Sequence, residues 1–277
     1  MSNRIRLRIG LAVVAAAFAS STLGPLAARA QSAGPGYSPP RTADGHPDLQ
    51  GVWRAWNLAK FDLEDHGAKP GVPAGLGFVV DPADRKIPYQ PWALEQRAKN
   101  YASTRSDDPV ANGDPLAKCY MPGIPRYTYL GFPFQILQTR GYVAFSYEWS
   151  HHRRIVPIDS TAPVPEDEET WLGVPRGRFE GNALVVVSTH FNNDTWFDMA
   201  GNFHSNALRV TERYTPVDAD TLQYDVTIED PKVFTRPWSI RMPIQRQKDI
   251  GILDYECTAL LDERGIHHTW PRDWDAN

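Results

Sequence analysis

Residues 206–215 read NALRVTERYT and show the alternation of a β-strand. The side chains of a strand point in turn to opposite faces of the sheet. One face of this stretch combines apolar and aromatic residues with a carboxylate: Leu208, Val210, Glu212 and Tyr214. A carboxylate on an apolar face costs free energy unless it is paired, protonated or hydrogen-bonded. The stretch therefore raises the question whether Glu212 anchors the fold or moves a proton.

Other stretches of the chain show the same alternation and are rich in β-branched and aromatic residues. They cover residues 47–53, 134–139, 142–158, 174–181, 183–191, 221–230, 238–246 and 252–260. Short turns separate most of them, as in PVDAD at 216–220. Eight or more consecutive antiparallel strands joined by hairpins predict an all-β fold, an up-and-down sheet that closes as a barrel. A barrel of about eight strands can hold one small ligand in its mouth.

The part of the chain before these strands has little periodicity. Residues 91–102 (PWALEQRAKNYA) begin with a proline suited to the first helical position and continue with good helix formers. Residues 60–90 and 107–126 are irregular and contain many Pro and Gly residues. We therefore expect one short N-terminal helix between long N-terminal loops.

The N-terminus has the features of a signal peptide. A basic start at residues 4–8 precedes the apolar run LAVVAAAFA, and ARA at 28–30 has the small-x-small form of a signal-peptidase site. These features predict a signal peptide at 1–30, a flexible tail at 31–46 and a single β-barrel domain at 47–277. No later apolar run is long enough for a membrane helix. We expect a periplasmic or secreted protein without membrane insertion.

The charge balance excludes some partners. The chain has 29 Lys and Arg residues against 33 Asp and Glu residues, and four of the basic residues lie in the predicted signal peptide. The remainder carries 25 basic against 33 acidic residues, a formal charge of −8. This acidity argues against nucleic acid and against an anionic membrane as partners. The oligomeric state is not readable from the sequence.

The two cysteines, Cys119 and Cys257, lie at opposite ends of the predicted domain. In an exported protein such a pair most simply forms one disulfide, which could stabilise the fold by roughly 4 to 5 kcal/mol in the chain-entropy model. Two buried free thiols, or a contribution to a metal site, are the alternatives.

Three ionisable groups fall on apolar strand faces. If residues 142–158 form one strand, its bulkier face carries Val143, Phe145, Tyr147, Trp149 and His151, and Arg154 lies on the other face. Glu212 and Asp230 hold comparable positions on the 206–215 and 221–230 strands. A buried carboxylate beside an imidazole is a usual arrangement for acid/base catalysis. In the structural alternative, Glu212 pairs with an arginine such as Arg154 or Arg178, and His151 donates to a backbone carbonyl.

Further candidates complete the predicted site. His204 lies in a Gly- and Asn-rich turn, where it could reach a ligand or cap the strand, and Asp194 lies in a similar loop. Arg154 or Arg213 could hold a developing negative charge. The predicted catalytic residues are His151, Glu212, Asp230, His204 and Arg154, and the predicted binding residues are Tyr147, Trp149, Tyr214, Tyr224, Asp194 and Arg213.

Metal and cofactor chemistry have weak support. A metal site from His151, His204 and Glu212 is geometrically possible, but no paired histidine motif has a matching third ligand. The sequence has no GxSxG, P-loop or dinucleotide motif. We expect neither a cofactor nor a metal.

Several motifs together resemble a family of exported bacterial proteins. They read PDLQGVW, DPLAKCYMPGIPR, PFQILQT, EWSHHRRIVPID, GRFEGNALVVVSTHFN, HSNALRVTERY and TIEDPKVFTRPW. The resemblance covers residues 47–238 and implies a lipocalin-like β-barrel and export, without a particular reaction. The family pattern falls on His151, Arg154, Asp159, Glu180, His204, Ser205, Glu212, Arg213 and Asp230. At Val187 the chain departs from it, since relatives carry an acidic residue there.

Three hypotheses about function follow. The first is a cofactor-independent acid/base enzyme that eliminates, isomerises, cyclises or hydrolyses a hydrophobic or aromatic small molecule. The second is a lipocalin-like protein that binds such a molecule without catalysis. A structural envelope component is a third hypothesis, and it predicts a core without spare polar groups.

Overall fold

The computed structural model describes residues 37–108, 111–164 and 168–258. The predicted signal peptide, the first part of the predicted tail and the last two residues of the predicted 252–260 strand lie outside this range. The strands are β1 Gly51–Arg54, β2 Val79–Asp81, β3 Phe134–Thr139, β4 Tyr142–Tyr147, β5 Arg153–Pro157, β6 Val174–Glu180, β7 Ala183–Thr189, β8 Arg209–Pro216, β9 Thr221–Glu229 and β10 Trp238–Gln247. The helices are α1 Pro91–Ser103 and α2 Arg126–Tyr129, with a 3₁₀ turn at Pro115–Lys118.

The strands form one antiparallel sheet, which confirms the all-β prediction. The order along the sheet is β5-β4-β3-β1-β10-β9-β8-β7-β6, and β2 also pairs with β10. The predicted helix is confirmed as α1, which has Pro91 at its start. Within the described residues, no helix is long and apolar enough to cross a membrane.

The ladder of the sheet does not close, so the predicted barrel is not confirmed. The two edge strands, β5 and β6, are joined through one isolated bridge between Ile158 and Gly177. Gly177 permits this close approach, because a Cβ atom there would lie 2.7 Å from side-chain atoms of both Val156 and Ile158. We call this contact the seam.

One face of the sheet is buried and forms the core. In β8, β9 and most of β10, buried residues alternate with more exposed ones, as the sequence predicts. The largest fully buried side chains on the strands are aromatic: Trp53, Phe134, Phe145, Tyr147, Tyr214, Tyr224 and Trp238. The other face of β8–β10 is polar and carries ion pairs such as Arg241–Asp225. The alternation thus determines which side chains of these strands face the core and which face solvent.

The prediction of one strand over residues 142–158 is wrong. Ser150 and His151 have positive φ angles of 52° and 54°, and the chain reverses there between β4 and β5. Phe145 and Arg154 are opposite each other in the resulting hairpin, so they share a face. The turn therefore moves Arg154 into the core, where it is 2% exposed, and removes His151 from it.

The prediction of a strand over residues 252–260 is also wrong for its described part. Residues 251–257, which we call the strap, make one isolated bridge, between Tyr255 and Trp149. The strap ends at Cys257, which forms a disulfide with Cys119 as predicted. This covalent link holds the strap against the body of the fold.

Candidate functional site

Glu212 lies at the middle of a sealed set of polar side chains, which we call the Glu212 centre. Its Oε2 atom accepts a hydrogen bond from Arg154 at 2.5 Å, and its Oε1 atom accepts one from each of the Tyr214 and Tyr224 hydroxyls at 2.8 Å. Arg154 also donates to Ser188 at 2.7 Å. Glu212 is fully buried. The centre contains Glu212, Arg154, Ser188, Tyr214 and Tyr224.

The sheet brings these residues together from distant strands. Arg154 lies on β5, the first strand in the sheet order, and Glu212 lies on β8, the seventh. Contact between them requires the sheet to curl around its buried face. The ion pair therefore ties the β5 edge to the opposite half of the sheet.

The protonation states follow from these contacts. Glu212 accepts three hydrogen bonds from groups that donate, which is the pattern of an ionised carboxylate. Burial would lower the pKa of Arg154, but the Glu212 charge raises it above the ordinary value of an arginine. Burial raises the pKa of Tyr214 and Tyr224 well above the tyrosine value, and the Glu212 charge adds to both shifts. Both hydroxyls therefore stay protonated as donors.

Some donors beside the centre have no partner. Among the described residues, Nε and Nη1 of Arg154 and the hydroxyl of Tyr147 are buried without a hydrogen bond. Burial raises the pKa of Tyr147, so this hydroxyl also stays protonated. An arginine has five N–H groups, and the centre leaves part of this capacity unused.

His204 lies in a separate environment. Its Nδ1 is 2.9 Å from the carbonyl of Ser205, which can only accept, and its Nε2 is 2.7 Å from the Thr195 hydroxyl. Nδ1 therefore donates, and Nε2 of the neutral ring accepts from Thr195. Burial lowers the pKa of His204, which favours this neutral form. The imidazole is held by the fold at both nitrogens.

Asp230 orders the turn before β8. Its carboxylate accepts hydrogen bonds from the Ser205 backbone N–H at 2.6 Å, from the Ser205 hydroxyl at 2.9 Å and from the Lys232 N–H at 3.1 Å. Glu212 is opposite Val226 on β9, four residues before Asp230. At about 3.3 Å per residue, Asp230 lies roughly 13 Å along the strand from the Glu212 level.

Three predicted residues lie outside the core. His151 is in the β4–β5 turn, with its Nε2 2.6 Å from Glu256, so its predicted place on the apolar face is wrong. Arg213 is partly exposed and pairs with Glu180. Asp194 is exposed in a turn. The predicted His151–Glu212–Asp230 constellation is therefore not assembled.

The structure contains a second buried group of polar side chains, which the sequence patterns do not predict. Asp62, Glu64 and Asp198 are buried in irregular segments, and we call them the acidic cluster. Arg97 contacts Asp62 and Glu64 at 3.3 Å and 2.9 Å, and Lys69 contacts Asp62 at 2.9 Å. Burial raises the pKa of Asp198 to about 7, and the charge of Asp62 adds to the shift. Helix α1 is the only periodic element that supplies a residue here, so the sequence carries little signal.

A cavity of about 440 Å³ lies beside the strap. Its lining is largely apolar, and Trp149 belongs to it: Pro70, Gly71, Val72, Thr104, Arg105, Asp107, Asn112, Asp114, Leu116, Ala117, Trp149 and Met199. Two polar members are bound within the protein: Asp114 pairs with Arg126 at 2.7 Å, and Asn112 donates to two backbone carbonyls. Protein pockets that bind small molecules have this size and apolar character.

The four predicted aromatic binding residues divide between the two places. Tyr147, Tyr214 and Tyr224 are buried in the core near Glu212, whereas Trp149 lines the cavity. Among the described residues, no group of three or more His, Cys, Asp or Glu side chains could hold a metal ion. Comparison with protein-family models and with curated proteins finds no match to this chain.

Proposed function

We propose that this protein binds a hydrophobic or aromatic small molecule in the cavity beside the strap. The observation that carries the proposal is the cavity itself, about 440 Å³ and largely apolar, with the indole of Trp149 in its wall. An apolar ligand there would remove both its own surface and the lining from water, which is the main source of affinity in such sites.

Binding without catalysis agrees with the state of the candidate catalytic groups. Both carboxylate oxygens of Glu212 are engaged, and both nitrogens of His204 are bound to the fold. A general acid or base must reach the substrate proton within hydrogen-bond distance. None of the residues of the Glu212 centre lines the cavity.

A direct test uses N-phenyl-1-naphthylamine, whose fluorescence rises in apolar surroundings. We expect saturable binding of one probe per chain. Ala117→Trp should fill part of the cavity and weaken binding about tenfold or more, the equivalent of about 1.4 kcal/mol. Ala219→Trp, in an exposed turn, is the matched control and should bind like the unmodified protein. Absence of saturable binding, or equal binding by Ala117→Trp, would contradict the proposal.

Acid/base catalysis is a second candidate, favoured by the unpartnered donors of Arg154 and Tyr147. Such donors could stabilise developing negative charge on a bound molecule. The test is incubation with small aromatic and terpenoid compounds and mass detection of altered species. Turnover that disappears in Glu212→Gln, with the fold unchanged, would support the enzyme. Turnover that persists in this variant would exclude Glu212 as the acid or base.

We further propose that the sheet functions as a closed barrel and that residues 1–30 direct export. The seam supports closure, and the Cys119–Cys257 disulfide is compatible with an oxidising compartment. N-terminal sequencing of the exported protein should find Gln31 first. A retained Met1 would contradict cleavage.

A further inference from the structure

The strap holds the Trp149 wall of the cavity in place. Tyr255 stacks on Trp149 with ring centroids 4.9 Å apart. The backbone N–H of Ser150, the next residue, donates to the carbonyl of Tyr255 at 3.0 Å. The Leu253 N–H donates to the carboxylate of Glu148 at 3.0 Å. The strap therefore contacts the β4–β5 turn on both sides of Trp149.

The disulfide joins this wall to a second wall. Cys119 directly follows the 3₁₀ turn Pro115–Lys118, which contributes Leu116 and Ala117 to the cavity lining. Cys257 lies two residues after Tyr255. One covalent bond therefore links the segment that supplies Leu116 and Ala117 to the segment that supports Trp149.

Two side-chain contacts also hold the strap: Glu256 lies 2.6 Å from Nε2 of His151 in the β4–β5 turn, and the Tyr255 ring lies 4.7 Å from that of Phe132. Leu253 and Asp254 are exposed, and none of residues 251–257 belongs to a strand of the sheet. Segments with few buried apolar contacts open at low free-energy cost. Loss of the covalent link would thus act first on the strap and, through Tyr255, on Trp149.

We propose that the Cys119–Cys257 disulfide controls ligand affinity by fixing the distance between these two cavity walls, with Tyr255 as the positioning residue. The inference rests on the proposed function of the cavity. In the oxidised protein the walls are preorganised and the ligand binds. In the reduced protein the strap separates from the β4–β5 turn and affinity falls.

The reduction requires a dithiol as the electron donor. A thiolate of the dithiol attacks Sγ of the partly exposed Cys119, and the buried Cys257 leaves as the thiolate. The second thiol of the donor then displaces Cys119 and closes its own disulfide. Two electrons and two protons pass to the cysteines, and the dithiol is oxidised to a disulfide.

The experiment compares N-phenyl-1-naphthylamine binding in oxidised and dithiothreitol-reduced protein, with far-ultraviolet circular dichroism as the check on folding. We expect reduction to weaken binding about tenfold, and reoxidation to restore it. The Cys119→Ser/Cys257→Ser variant should bind weakly with and without dithiothreitol. Equal affinity in the folded oxidised and reduced proteins would overturn the proposal.

If the reduced protein unfolds, variants that keep the disulfide test the positioning role of Tyr255. Tyr255→Ala should weaken binding, whereas Tyr255→Phe keeps the ring and should retain it. Leu253→Ala changes an exposed side chain in the strap, keeps the backbone N–H and serves as the control. Unchanged binding by Tyr255→Ala would overturn the positioning role. If the unmodified oxidised protein fails to bind the probe, the proposed function fails, a result distinct from a redox effect of zero.

Discussion

The Glu212 centre and the cavity beside the strap differ in how they use polar groups. In the centre, polar atoms from four strands hydrogen-bond to one another inside the core. In the cavity, the wall is mainly apolar and much of the polar lining is bound to the protein behind it. Only five positions in the sequence separate Arg154 from Trp149. A carboxylate on an apolar strand face can thus belong to a buried ion pair, while the loops form much of the concave site.

The largest expected effect comes from breaking the centre. Glu212→Gln should lower the free energy of unfolding by roughly 3 to 5 kcal/mol, because Arg154 would remain buried without its counter-charge. Probe binding in the cavity should persist in the folded fraction. Urea denaturation measures the stability change.

The control for this variant is Glu180→Gln. Glu180 also pairs with an arginine, Arg213, but on the exposed face. This change should have little effect, because exposed ion pairs contribute little to stability. Equal losses of stability in Glu212→Gln and Glu180→Gln would show that the buried ion pair contributes no more to stability than the exposed one.

The second effect is a pH dependence of the free energy of unfolding, on the order of 2 to 4 kcal/mol. It originates at Asp198, near the cavity. Asp198 precedes the cavity residue Met199, and burial raises its pKa to about 7. The folded state then binds more protons than the unfolded state between about pH 4 and 7. The Asp198 contribution to stability is therefore full below about pH 4 and is lost as pH rises through 7.

Unfolding free energies of the unmodified protein and Asp198→Asn across this pH range isolate the effect. Stability of the unmodified protein should fall more steeply with rising pH than that of the variant. Parallel pH profiles would show that Asp198 does not titrate in this window.

A smaller effect distinguishes tyrosines within the core. Tyr224→Phe removes a hydroxyl that donates to the Glu212 carboxylate. A hydrogen bond to a charged group contributes about 1.5 to 3 kcal/mol, and we expect a loss in that range. Thermal and urea unfolding provide the measurement, with Tyr142→Phe as the control because Tyr142 is exposed. A loss no larger than that of the control would mean that the Tyr224 hydroxyl adds nothing to the centre.

The smallest effect is expected at Tyr147. Its hydroxyl is buried without a partner, so Tyr147→Phe should change stability by less than about 0.5 kcal/mol or raise it. A loss as large as that of Tyr224→Phe would indicate that the Tyr147 hydroxyl binds something inside the protein, and would favour the catalytic candidate.

The sequence predicts the facing of single strands well. Alternation places Glu212, Tyr214 and Tyr224 on the buried side because β8 and β9 are regular and separated by a clear turn. The disulfide is predicted from the cysteine count and from the predicted signal peptide. These inferences depend on local patterns or on composition.

The partner of Glu212 is harder to predict. In EWSHH the alternation continues into a turn without Gly or Pro, so the chain reversal at Ser150 and His151 has no local signal. The reversal decides the face of Arg154. The acidic cluster and the cavity depend on irregular segments that meet only through tertiary contacts, so no periodicity reveals them.

The position of β1 has a consequence for the order of the chain. β1 pairs with β10, and Val52 is opposite Gln247, so the start of β1 lies beside the end of β10. A circularly permuted gene could join the chain beyond the strap to the segment before β1 through a linker and begin at β6. Apart from β2, its strands would then follow one another as neighbours across the sheet, from β6 through β10 and β1 to β5. The new termini would lie at the seam, where a single isolated bridge joins the two edge strands.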